Sequence, residues 1–132
     1  MEKEKQQEII FKLSMFEQQM NQMQEQMEAV EKGINDLSSL GFGLDDIKNG
    51  VGREILSPLG KGIFVRAKLA SDDLTVDIGQ GNFVKKSIPE TKEIINEQTK
   101  KLISVKKEMG DNLERISKEM TRTLEEFRKA SE

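Results

Sequence analysis

Ile9, Leu13, Phe16, Met20, Met23, Met27, Val30, Ile34 and Leu37 follow one another at alternating spacings of four and three residues. The alternation runs for four heptads without a gap, and Gln, Glu and Lys fill most positions between. A period of about 3.5 residues places these side chains along one narrow seam of a helix and specifies a left-handed coiled coil. A helix packed on a globular core would carry a wider apolar stripe over a shorter run. A seam this long and narrow needs a second helix. Gly41, Phe42 and Gly43 are expected to break the first, giving a coiled-coil helix over residues 1–40.

The end of the chain supplies the partner. Ile88, Ile95, Leu102 and Met109 recur at sevens, with Thr91, Gln98 and Val105 read as the seam positions between them. The step from Met109 to Leu113 is a second consecutive four, after which Ile116, Met120, Thr123 and Phe127 resume the alternation. Such an insertion reads as a stutter that locally unwinds the supercoil. Ser87-Ile88-Pro89-Glu90 marks the helix start, with a Ser N-cap, Pro in the first turn and Glu three residues on. Helix 2 is thus expected over 88–132. Two helices of about 40 residues, each roughly 60 Å long, fold back antiparallel and bring both termini to one tip.

Residues 41–87 change period. Ile63, Val65, Ala67 and Leu69 alternate with Phe64, Arg66 and Lys68, and Leu74, Val76 and Ile78 alternate with Thr75 and Asp77. These are half-buried strands linked through Ser71-Asp72-Asp73. Gly79-Gln80-Gly81-Asn82 is a turn before Phe83–Lys86, and Arg53–Leu56 is a strand leading into Pro58-Leu59-Gly60-Lys61-Gly62. Four short strands make two hairpins, whose faces and edges a single chain cannot cover. Their edges and apolar faces are therefore expected to be completed by other subunits. The fold class is α+β: a long antiparallel two-helix coiled coil with two central β-hairpins.

Composition narrows the function. The 132 residues contain no Cys and no His, which excludes thiol nucleophiles, disulfides, Cys/His zinc sites and histidine bases. The glycine-rich turns lack the spacing of phosphate loops. The paired carboxylates Asp72-Asp73 and Glu125-Glu126 lie on a turn and a helix surface, not in a shared pocket. No enzyme activity, cofactor or metal is expected. Segment charges of about −4, +1 and 0 for residues 2–40, 41–87 and 88–132 leave no basic face for nucleic acid. No apolar run approaches the ~18 residues of a membrane span, and the first residues lack a signal-peptide layout. A cytoplasmic location is expected.

One surface stands out. Ile10, Phe11 and Met15 on helix 1 and Leu124 on helix 2 leave the seam register, so the distal turns are more apolar than pairing requires. Exposed apolar patches of this kind mark interaction sites.

The order of elements resembles the prefoldin family, alpha-type subunits, over nearly the whole chain as a single domain, 1–132. The resemblance is carried by Leu56-Ser57-Pro58-Leu59-Gly60-Lys61-Gly62-Ile63-Phe64-Val65-Arg66-Ala67 and by Val76-Asp77-Ile78-Gly79-Gln80-Gly81-Asn82-Phe83-Val84, which is similar to the family's strand, Gly-x-Gly, strand. Beta-type subunits have one hairpin, so four strands favour the alpha type. The resemblance implies an ATP-independent holdase that captures unfolded polypeptides and delivers them to a group II chaperonin. It implies two alpha-type with four beta-type partner subunits, whose hairpins assemble into an oligomeric β-barrel platform. In this chain the platform role falls on Ile63, Val65, Ala67, Leu69, Leu74, Val76 and Ile78, and client contacts on Ile9, Ile10, Phe11, Leu13, Met15, Phe16, Leu124 and Phe127. A filament-forming relative and a coiled-coil tether or adaptor without client transfer are the alternatives.

Overall fold

A computed structural model describes residues 2–131. The element order is α1 (Glu2–Ile47), β1 (Glu54–Gly60), β2 (Ile63–Lys68), β3 (Leu74–Gly79), β4 (Asn82–Lys86) and α2 (Ile88–Ser131). Packing divides the chain into two compact units, Met1–Ile34 with Lys101–Glu132, and Asn35–Lys100.

In the first unit the helices run antiparallel. Glu31 meets Lys106, Gly33 meets Leu102, and Phe16 and Met23 share a cleft with Ile116. Every seam residue of α1 in this unit is buried or half-buried, as the heptads require.

The register of α2 corrects the expectation. Gln98 and Val105 are exposed, whereas Lys92, Thr99 and Lys106 are half-buried. The seam therefore runs Ile88, Lys92, Ile95, Thr99, Leu102, Lys106, Met109, Leu113, Ile116, Met120, Thr123, Phe127 and Ala130, in steps of four and three throughout. No stutter is present. Polar residues hold these positions because their polar ends are satisfied. Thr99 Oγ1 donates to the Ile95 carbonyl at 2.7 Å, Lys106 Nζ lies 3.3 Å from Glu31 Oε1, and Lys92 pairs with Asp45.

In the second unit, Leu44, Ile88 and Ile95 form the buried core, with Leu37, Ile47 and Leu74 packed against it. Leu74 brings β3 into that core. This packing explains a second correction: α1 does not break at Gly41-Phe42-Gly43 but continues to Ile47. Two interior glycines cost about 1 kcal/mol each relative to Ala. Gly41 and Leu44 occupy the next two seam positions after Leu37, and Leu44 is only 5% exposed. Burying that leucine contributes roughly 1.5–3 kcal/mol, and Ile47 adds to it. The helix ends where Asn49 turns left-handed, and Arg53 Nη2 donates to the terminal carbonyl of Asp46 at 2.7 Å. At the start of α2, Ser87 Oγ accepts the Glu90 N–H at 3.2 Å and donates to the Glu90 carboxylate at 3.1 Å. The expected cap is in place.

The strands pair as two separate antiparallel hairpins, β1 with β2 and β3 with β4. β1 runs further than Arg53–Leu56, passing through Pro58, which an edge strand tolerates. Ser71–Asp73 is a link between two sheets, with the Asp73 N–H bonded to Ser71 Oγ at 3.0 Å.

Candidate functional site

The two hairpins are built on one plan. Each ends in a two-residue turn with both central residues at positive φ, Lys61-Gly62 (52° and 78°) and Gln80-Gly81 (54° and 75°). That is the type I′ geometry, whose twist suits flanking strands and whose second position favours Gly. Each register slips just before the turn, at Leu59 in β1 and Ile78 in β3. These matched bulges leave Leu59 70% exposed and Ile78 62% exposed.

The register sorts the remaining side chains. Ile55 opposes Ala67 and Ser57 opposes Val65 on one face of the first hairpin, while Leu56 opposes Arg66 and Pro58 opposes Phe64 on the other. Ile63 and Val65 are exposed and Ala67 and Leu69 half-buried, but Leu56 and Phe64 on the opposite face are exposed as well. In the second hairpin Leu74 and Val76 are half-buried, and Phe83 is exposed. The platform residues inferred from sequence thus divide: Ile63, Val65 and Ile78 offer apolar surface, whereas Leu74 serves the core of its own unit. Leu56, Leu59, Phe64 and Phe83 add exposed apolar surface that alternation alone does not point to. They fall between the alternating residues, and only the bulge and pairing register reveal their faces.

In the coil unit the distal seam and its surface separate cleanly. Ile9 is 3% exposed. Four-three spacing puts it inside the helix pair, so it belongs to the seam and not to a client-facing surface. Leu13, Phe16 and Phe127 are half-buried seam residues. Ile10, Phe11, Met15 and Leu124 are exposed, Phe11 at 65%. Phe11 and Met15 stand one turn apart on a common face of α1. Leu124 lies on α2 beside Thr121, Phe127 and Arg128, which line a shallow hollow.

Among the described residues, no cluster of acidic side chains is arranged to hold a metal ion, and no helix is long and apolar enough to cross a membrane.

Antiparallel heptad helices bracketing two matched I′ hairpins define a hairpin-bearing coiled-coil subunit. The family model described as prefoldin subunit matches residues 16–132. The chain is 30% identical over 111 residues to the prefoldin subunit alpha of Methanobrevibacter smithii, covering 83% of this chain and 76% of that protein. It is 26% identical over 94 residues to the prefoldin subunit alpha of Methanosphaera stadtmanae, covering 71% and 68%. A filamentous PFD from Methanocaldococcus jannaschii, solved by cryo-EM, shares the fold with a TM-score of 0.76 at 19% identity, over 87% of this chain and 97% of that one. The chain belongs to the prefoldin family, as an alpha-type subunit. Its function is of the chaperone type, carried out in assembly with other prefoldin subunits.

Proposed function

We propose that this subunit is an ATP-independent holdase that captures unfolded polypeptides on the distal coil surface. The observation that carries the reading is the exposure of Ile10, Phe11, Met15 and Leu124 on a folded coil whose seam does not need them. Each contact is weak. Several coils presented together bind by multivalency, with no nucleotide required. Exposed strand edges and apolar faces at Ile63, Phe64, Val65 and Ile78 fit a platform completed by other subunits. Beta-type subunits, two alpha-type with four, are the partners this reading assigns, and a group II chaperonin is the recipient of the client.

The test replaces Ile10, Phe11, Met15 and Leu124 with Ala together and measures suppression of aggregation of two unrelated denatured proteins. Helicity and particle mass should stay unchanged while suppression is largely lost, since a fully buried side chain of this size is worth roughly 1.5–3 kcal/mol. Full suppression by the folded variant would defeat the reading. A tether would bind one partner and neither denatured protein.

An open filament is the second arrangement, favoured by the fold shared with the filamentous archaeal relative. Light scattering at increasing protein concentration separates the two: a closed complex keeps a fixed mass, and a filament grows.

A further inference from the structure

The chain has no Cys, His, Trp or Tyr. Its thioethers are therefore the side chains that mild two-electron oxidants attack most readily. Those thioethers are not scattered. Met20, Met23 and Met27 hold three successive seam positions of α1, and Met109 and Met120 hold two on α2; all five are half-buried. Leucine or a β-branched residue is the usual occupant of such positions. Met23 also lines an open cleft of about 540 Å³ with Phe16 and Ile116 as its apolar floor and Gln22, Gln26 and Asn112 on its walls. Met23 therefore borders a solvent-open cleft that a small oxidant can enter.

We infer that Met20, Met23 and Met27 form an oxidation site, modified by hypohalous acids or hydroperoxides, whose sulfoxides open this stretch of the coil. The sulfur lone pair attacks the electrophilic oxygen of the oxidant. An S–O bond forms as the oxygen–halogen or O–O bond breaks. A hypohalous acid leaves as halide with its proton passing to solvent, and a hydroperoxide leaves as the alcohol, or as water from hydrogen peroxide, after its proton moves to the departing oxygen. Sulfur loses two electrons and the oxidant gains them. The product is a polar side chain with a strong acceptor, set beside the apolar seam residues Phe16 and Ile116, and leaving a polar group buried without a partner is costly. The amides of Gln22, Gln26 and Asn112 line the cleft and can bond the oxygen once the side chain turns outward. In turning, it gives up its seam contacts, and the facing apolar residues lose their cover. A dithiol-dependent sulfoxide reductase reverses the change, releasing water as its thiols become a disulfide.

The experiment treats the full chain, in its native assembly, with graded hypochlorous acid and maps sulfoxides by peptide mass. Circular dichroism melting and binding of an apolar dye follow on the same samples. Oxidation at Met20, Met23 and Met27 should lower the melting temperature by roughly 10 °C and raise dye binding. Sulfoxide reductases should reverse both. A variant carrying Met20→Leu, Met23→Leu and Met27→Leu should resist the treatment, while Met15→Leu, off the seam, should respond like the unmodified chain. The inference fails if the three methionines remain reduced at doses that oxidise Met15 completely. It fails equally if their sulfoxides leave the melting curve unmoved, or if the triple leucine variant is destabilised as much as the parent.

Discussion

Lys106 Nζ lies 3.3 Å from Glu31 Oε1, and it does so from a seam position of α2, while its neighbour Val105 faces outward. Both charged groups keep over two fifths of their surface in solvent (43% and 49%), so the pair itself is worth no more than about 1 kcal/mol. Its effect is on register. A polar residue at one seam position specifies alignment at some cost in stability. Lys106→Leu should therefore raise thermal stability, and Glu31→Gln should lower it by less than ~1 kcal/mol. Val105→Ser should change it by under ~0.5 kcal/mol. Thermal unfolding followed by circular dichroism ranks the three, and a costly Val105→Ser would return that residue to the seam.

Met23 is half-buried beside an open cleft, so truncating it leaves little enclosed void. Met23→Ala should cost about 1–2 kcal/mol, at or below the low end for buried methionine. Gln24→Ala, on the exposed flank, should stay within ~0.5 kcal/mol. Denaturant midpoints of the two variants measure the difference, and equal shifts would contradict the seam.

The helix glycines divide into two kinds. A Cβ on Gly43 would meet nothing within 4 Å, while one on Gly33 would sit 3.3 Å from Leu102 Cδ1. Gly43→Ala should thus stabilise by about 0.5–1 kcal/mol through helix propensity alone. Gly33→Ala should gain less, because the Leu102 methyl must shift. Melting temperatures of both variants decide, and a larger gain at Gly33 would mean that the helices are spaced more widely there.

Phe64 and Val65 point to opposite faces of the first hairpin, and both are exposed in the single chain. Phe64→Asp and Val65→Asp should each leave helicity intact. If the platform reading holds, each should reduce the particle mass, since an unpaired carboxylate in a buried interface costs several kcal/mol, on the order of the burial penalty for polar groups. Light scattering is the measurement, and an unchanged mass for both would remove the hairpin faces from assembly.

Much of this molecule could be read from periodicity, and the failures share one cause. The seam of α1 was legible because every position from Ile9 to Leu37 is apolar. In α2 the sevens at Ile88, Ile95, Leu102 and Met109 are compatible with an intervening residue three or four places on. Val105 is the more apolar candidate beside Lys106, and a seam through Val105 requires a stutter that the helix does not have. Composition misled because Lys92 and Lys106 are satisfied by Asp45 and Glu31, residues far away in sequence. The glycines at 41 and 43 misled in the same way: their local cost is real, but Leu44 and Ile47 outweigh it through a core formed with α2. Long-range partners decided each case. At the coil surface Ile10, Phe11, Met15 and Leu124 were legible as residues that break register, whereas the burial of Ile9 followed from the register itself.

The matched hairpins have a consequence for exchange. Turn, bulge and exposed apolar residues recur in both, so one chain carries two similar apolar ends joined by the short link from Lys68 to Leu74. Where both ends engage neighbours, the subunit is held as a chelate. Release of one end leaves the other bound, and the freed end faces its partner at an effective concentration in the millimolar range, on the order expected for short flexible links. Dissociation then requires both ends to be free at once. A single-hairpin subunit under the same contacts would leave and return far more often, so turnover in a mixed assembly would proceed mainly through such subunits while the two-hairpin chains stay in place.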